Sequence, residues 1–134
     1  MQARTLDEVI VCLDSIIQTC KERSSRTGYF ACLYRKMTIA IKVAIDSGAF
    51  DDASRMEKLD VHFANRYLDA YTRYENGHPP TTSWQTAFDA AATDRLTVFQ
   101  HLLLGINAHI NLDLGIAAAK ISTPETIGQL ANDF

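Results

Sequence analysis

The sequence predicts an all-α protein, and three observations carry that prediction. Apolar residues recur at three- and four-residue intervals along most of the chain, the spacing of one helical face. No stretch alternates apolar and polar residues between turn signals, so no strand is expected. The run from Leu96 to Ala119 is apolar on every side and free of proline, far too long for a strand, which makes it a helix for the interior. The other helices are apolar on one side only. The expected architecture is therefore a bundle of five to six helices around a central buried helix near residues 95–119.

Thr5 and Glu8 fit a capping box that opens the first helix, whose stripe runs Leu6, Val9, Ile10, Leu13, Ile16, Ile17 and Cys20 and dissolves in Lys21–Ser25. After Gly28 a second stripe follows through Phe30, Leu33, Tyr34, Met37, Ile41, Ala44 and Ile45, and Gly48 marks its end. Asp51 and Asp52 suit the start of a third helix, where carboxylates accept from free N–H groups. Its stripe is Met56, Leu59, Phe63, Tyr67, Ala70 and Tyr74, and Gly77 closes it. His78-Pro79-Pro80-Thr81 is the clearest break, with His78 exposed. Thr82 with Gln85 caps a short fourth helix bearing Trp84, Ala87, Phe88 and Ala91, Thr93-Asp94 begins the long fifth, and Pro124 starts a last helix through Ile127, Leu130 and Phe134.

At 134 residues the chain fits a single helical domain, 1–134. With 47% apolar and 22% charged residues it has the composition of a folded protein rather than a disordered one. The net charge is −3 and basic residues are scattered among acidic ones, so neither nucleic acid nor an anionic membrane is an expected partner. A span through the central run would place His101, Asn107, His109, Asn111 and Asp113 in lipid, which argues against one. Cys12, Cys20 and Cys32 are odd in number and show no CxxC spacing, so buried free thiols in a reducing cytoplasm are expected. The apolar last helix, ending at Phe134, suggests surface that a homo-oligomer or a C-terminal continuation would cover.

His109 and Asp113 lie one helical turn apart, about 6 Å along the axis, which is ligand spacing. Imidazole with carboxylate suits a divalent transition metal such as zinc, iron or manganese, and His62 is the candidate third ligand from another helix. His101 stands about 12 Å along the axis from His109, too far for one ion, and needs a separate role: at a second ion, in binding a small molecule in a groove, or as a satisfied core histidine. Asn107 and Asn111, with Gln100, carry amides that need partners when buried, and Arg66, Asp69 and Arg73 of the third helix are the expected source. Gly105 and Gly115 weaken a helix and call for a packing reason, and the tyrosines and Trp84 read as core. Two readings follow. In one, the polar centre is a metal- or small-ligand-binding pocket. In the other, the same residues form a metal-free core network in a structural or interaction module that self-associates. No GxSxG, HExxH or glycine-rich phosphate loop is present, so covalent catalysis and a phosphate loop have no support.

Four segments carry a resemblance: Arg55-Met56-Glu57-Lys58-Leu59-Asp60, Ala64-Asn65-Arg66-Tyr67-Leu68-Asp69-Ala70, Trp84-x-x-Ala87-Phe88, and the run from Gln100 to Leu114. Together they resemble the uncharacterised bacterial family DUF5995. The resemblance covers nearly the whole chain and implies an amino-terminal portion or a short form, because members usually continue past the position of Phe134. A fainter likeness joins Gly105, His109 and Asp113 to the zinc-dependent phospholipase C and nuclease helical fold, and it implies a metal-dependent hydrolase. The proline-histidine that follows in those enzymes is replaced here by Gly115-Ile116-Ala117-Ala118-Ala119.

Overall fold

The computed structural model describes residues 2–133, and among them the chain forms six α-helices and no strand. In order these are α1 (Leu6–Glu22), α2 (Gly28–Asp46), α3 (Ala53–Glu75), α4 (Thr82–Ala91), α5 (Val98–Ala108) and α6 (Leu114–Ile121). A π-helical turn, His109–Asp113, joins α5 to α6 into one long helix, and a 3₁₀ segment spans Ile127–Asn132. The all-α bundle with a long central helix is as expected. The final helix differs: it is 3₁₀, Leu130 is buried in it, and Phe134 lies outside the described residues.

Local chemistry explains most of the boundaries. Thr5 accepts from the Glu8 N–H at 3.2 Å, while the Glu8 carboxylate reaches back to the N–H of Arg4 rather than that of Thr5. Asp52 caps α3 by accepting from the Arg55 N–H at 2.9 Å. Gly48 and Gly77 end α2 and α3 with φ of +73° and +72°, a conformation that side chains resist. Two starts move from their expected places. Helix α4 is preceded by Thr81, which makes no side-chain cap, and Thr82 is already helical. Helix α5 begins at Val98 behind a capping box of Thr97 and Gln100, so Thr93-Asp94 belongs to the connection.

Helix α1 packs on α2 and α3, α4 lies on α5, and α6 with the π-turn lies on α3. The inward stripes meet in an aromatic cluster of Phe30, Tyr34, Phe63, Tyr67, Trp84 and Phe88, all buried. The long helix contributes His101, Gly105, Ala108, His109, Asp113 and Ala117 to this interior. Its burial is one-sided: Phe99 is 68% exposed, Leu103 46%, Ile106 36% and Ile110 42%. Val98–Ile121 is long and apolar enough to cross a membrane, but its inner face is spent on the bundle and includes a carboxylate bonded to Arg66.

Candidate functional site

Asp113 is the centre of the buried polar chemistry. Its side chain has no exposed surface, and three groups from three elements converge on it. Arg66 of α3 donates through Nε to Oδ1 at 3.0 Å, Trp84 of α4 donates its indole N–H to Oδ2 at 2.7 Å, and His109 Nδ1 lies 3.2 Å from Oδ2. Local backbone makes this possible. The outward residues Phe99, Leu103, Ile106 and Ile110 follow a four-three-four spacing that would put residue 113 outside as well. The π-turn spends one extra residue and swings Asp113 inward beside His109.

The His109 ring is held as firmly as the carboxylate. It stacks on Phe63 with centroids 3.5 Å apart and planes 7° from parallel, and Tyr34 meets it edge-on at 4.4 Å. Burial lowers the His109 pKa, and the Arg66 charge works in the same direction, against the hydrogen bond and attraction of Asp113. The imidazole is therefore neutral, with Nδ1–H donating to Asp113, and Nε2 is a buried acceptor with no partner among the described residues. The Tyr67 hydroxyl is buried and unpartnered in the same way.

As a metal centre this arrangement is poorly supplied. Both oxygens of Asp113 already accept from N–H donors, and a cation there would sit beside the Arg66 guanidinium. Among the described residues no three His, Cys, Asp or Glu side chains come together as a metal set. His62, the expected third ligand, instead lines a surface groove with Arg66 and Asp69. That groove, of about 880 Å³, runs between the N-terminal lead of α1, one side of α3, and α6. Arg66 and Asp69 also line a smaller groove of about 260 Å³ with Arg73 and the Pro79-Pro80 turn.

The remaining expected ligand residues separate. Asn107 and Asn111 are exposed and bond to each other at 2.8 Å, and Gln100 caps α5, so none of these amides meets Arg66, Asp69 or Arg73. His101 is buried against Tyr29, with both ring nitrogens unpartnered among the described residues, beside a cavity of about 20 Å³, about enough for one water. Burial lowers the His101 pKa, as does the nearby charge of Arg26.

Two buried polar roles were not anticipated from the sequence. Trp84 read as core aromatic, but a buried indole N–H needs an acceptor, and that requirement is the signal that could have paired it with a buried carboxylate. Asp60 lies within the buried run of α3, between Leu59 and Phe63, with Oδ2 unpartnered among the described residues and the carboxyl pushed up to about 7 by burial. Its signal was a carboxylate one turn from Met56 on the inward side of that helix.

No curated protein and no solved structure matches the chain, so the likeness to the zinc-dependent phospholipase C fold gains no structural neighbour. The family of unknown function DUF5995 matches across residues 6–134, from the first turn of α1 onward. The chain belongs to the DUF5995 family.

Proposed function

We propose that this chain is a structural interaction module, a rigid helical frame that pairs with a second copy of itself through the outer face of its long helix. The buried network of Asp113, His109, Arg66 and Trp84 is the frame's internal fastening and works without a metal. The observation that carries the reading is the exposed seam of Phe99, Leu103, Ile106 and Ile110. Spacings of four, three and four residues are those of a helix that packs against another helix.

The seam also indicates its occupant. No Asp, Glu, Lys or Arg lies between Arg95 and Asp113, so two copies of net charge −3 can approach there without repulsion. The spacing reads the same in both directions. About one two-fold axis in an antiparallel pair, Phe99 meets Ile110 and Leu103 meets Ile106, which is the self-complementarity an isologous contact needs. Covering each half-exposed side chain gains about 1 kcal/mol, against an association cost of about 4 kcal/mol or more. With four such side chains on each copy the balance leaves a weak dimer, with Kd of about 1 mM.

Sedimentation equilibrium tests this. The apparent mass should rise from 14.9 kDa toward twice that value with concentration, and Leu103→Glu should abolish the rise while leaving the thermal melt unchanged. A wild-type chain that stays monomeric up to about 1 mM would overturn the reading.

A further inference from the structure

We infer that the groove between the start of α1, α3 and α6 is a binding site for a small organic oxyanion, one carrying a phosphate or carboxylate group, with Arg66 as its fixed recognition fork. The groove's volume of about 880 Å³ falls in the range of small-ligand sites. Its walls collect positive charge on a chain whose net charge is −3: Arg4, Lys58, Arg66 and Lys120 line it, against Glu57 and Asp69. Among the described residues Arg4, Lys58 and Lys120 make no ion pair, so their charges are available to a ligand. His62 adds an imidazole to the same wall.

Arg66 gives the site its geometry. Its Nε is bonded to Asp113, whose carboxylate is fully buried and held from its other side by Trp84, so the plane of the guanidinium is set from within the core. The two Nη groups make no hydrogen bond among the described residues, and Arg66 is part of the groove wall. A guanidinium fixed in this way presents parallel donors to a carboxylate or phosphate with little ordering cost left to pay. Asp113 offsets part of the Arg66 charge, and Lys58 and Lys120 supply the excess that draws in an anion. Val61 and Ile116 give the wall an apolar stretch for the organic part of the ligand. The site shares no residue with the seam of the long helix, so it stands or falls independently of dimer formation.

The test is an NMR titration of the full chain with inorganic phosphate, phenyl phosphate and succinate, with glycerol as the uncharged control. The amide signals of residues 57–66 and 116–120 should shift saturably with at least one anion and not with glycerol, and the affinity should fall as salt is added. Saturation by the two phosphates alone assigns a phosphate ligand, and saturation by succinate alone assigns a carboxylate. The double variant Lys58→Gln with Lys120→Gln leaves the core untouched and should weaken binding at least tenfold. Arg66→Lys keeps a cation but loses the fork, and should weaken it as well. Absence of saturable shifts with all three anions, or binding that the Lys58/Lys120 variant leaves unchanged, would overturn the inference.

Discussion

At the scale of single residues, two buried titratable groups make opposite demands on the fold. His109 is neutral, stacked on Phe63 and bonded to Asp113. His109→Ala removes the stack, leaves a cavity and takes one of the three groups from a buried carboxylate, and should cost about 2 to 5 kcal/mol in a denaturant melt. If the network is metal-free, adding zinc, manganese or a chelator should move the midpoint of neither protein, and a wild-type midpoint that rises with zinc would refute that part of the account. Asp60 has the larger pH consequence. Its carboxyl titrates at about 7 in the fold because burial opposes its charge, and near 3.9 when unfolded. Between those values the folded chain holds a proton that the unfolded chain has released. The contribution is therefore complete below about pH 4 and is lost as pH rises through about 7. His109 has the opposite sign, since its lowered pKa makes stability fall as acid protonates it. Subtracting the Asp60→Asn curve from the wild-type curve cancels His109, and the difference should fall by about 4 kcal/mol across that window. A flat difference would show that Asp60 is solvated.

At the scale of elements, helices α1 to α3 were legible because each has a polar face opposite an apolar one, together with a cap or a terminal glycine that chemistry alone identifies. The long helix was legible as a helix and misleading as to which way its residues face. Being apolar all round, it gave no contrast from which to tell inside from outside, so Asn107 and Asn111 were expected in the core and are exposed. Its start was displaced because Thr93-Asp94 and Thr97–Gln100 are both cap-like, and only the second has the reciprocal side-chain bond. The π-turn has no sequence signature, yet it decides that Asp113 faces inward. The pairing of His109 with Asp113 was readable from spacing, whereas Arg66 and Trp84 reach the same carboxylate only through tertiary packing. The two glycines of this helix separate close packing from open surface. A Cβ at Gly105 would collide with the Phe30 ring, 2.7 Å from Cγ, so Gly105→Ala should destabilise by about 1 to 3 kcal/mol despite better helix propensity. A Cβ at Gly115 meets nothing within 4 Å, and Gly115→Ala should stabilise by about 0.5 to 1 kcal/mol. Thermal melts of the two variants that moved in the same direction would contradict this packing.

At the scale of the whole molecule, an apolar core is fastened by one buried polar network, and the long helix keeps an apolar seam on its outer face. Asp113 ties α3, α4 and the π-turn together, and Arg55 bonds Asp133 at 3.0 Å to pin the 3₁₀ segment onto the start of α3. A frame fastened in this way can present a helical seam without collapsing around it, and the self-pairing we propose uses the symmetry of that seam. The most direct test mixes two charge variants, Leu103→Glu and Ile106→Lys, and follows mass by sedimentation equilibrium. Each variant alone would bury an unpaired charge against an apolar residue in the dimer, and each should remain monomeric. In the equimolar mixture the antiparallel register sets the new carboxylate opposite the new ammonium and leaves the other central layer apolar, so dimer should return. A mixture that stays as monomeric as its components, beside a wild-type chain that dimerises, would contradict the antiparallel seam, and a wild-type chain monomeric throughout would contradict self-association altogether.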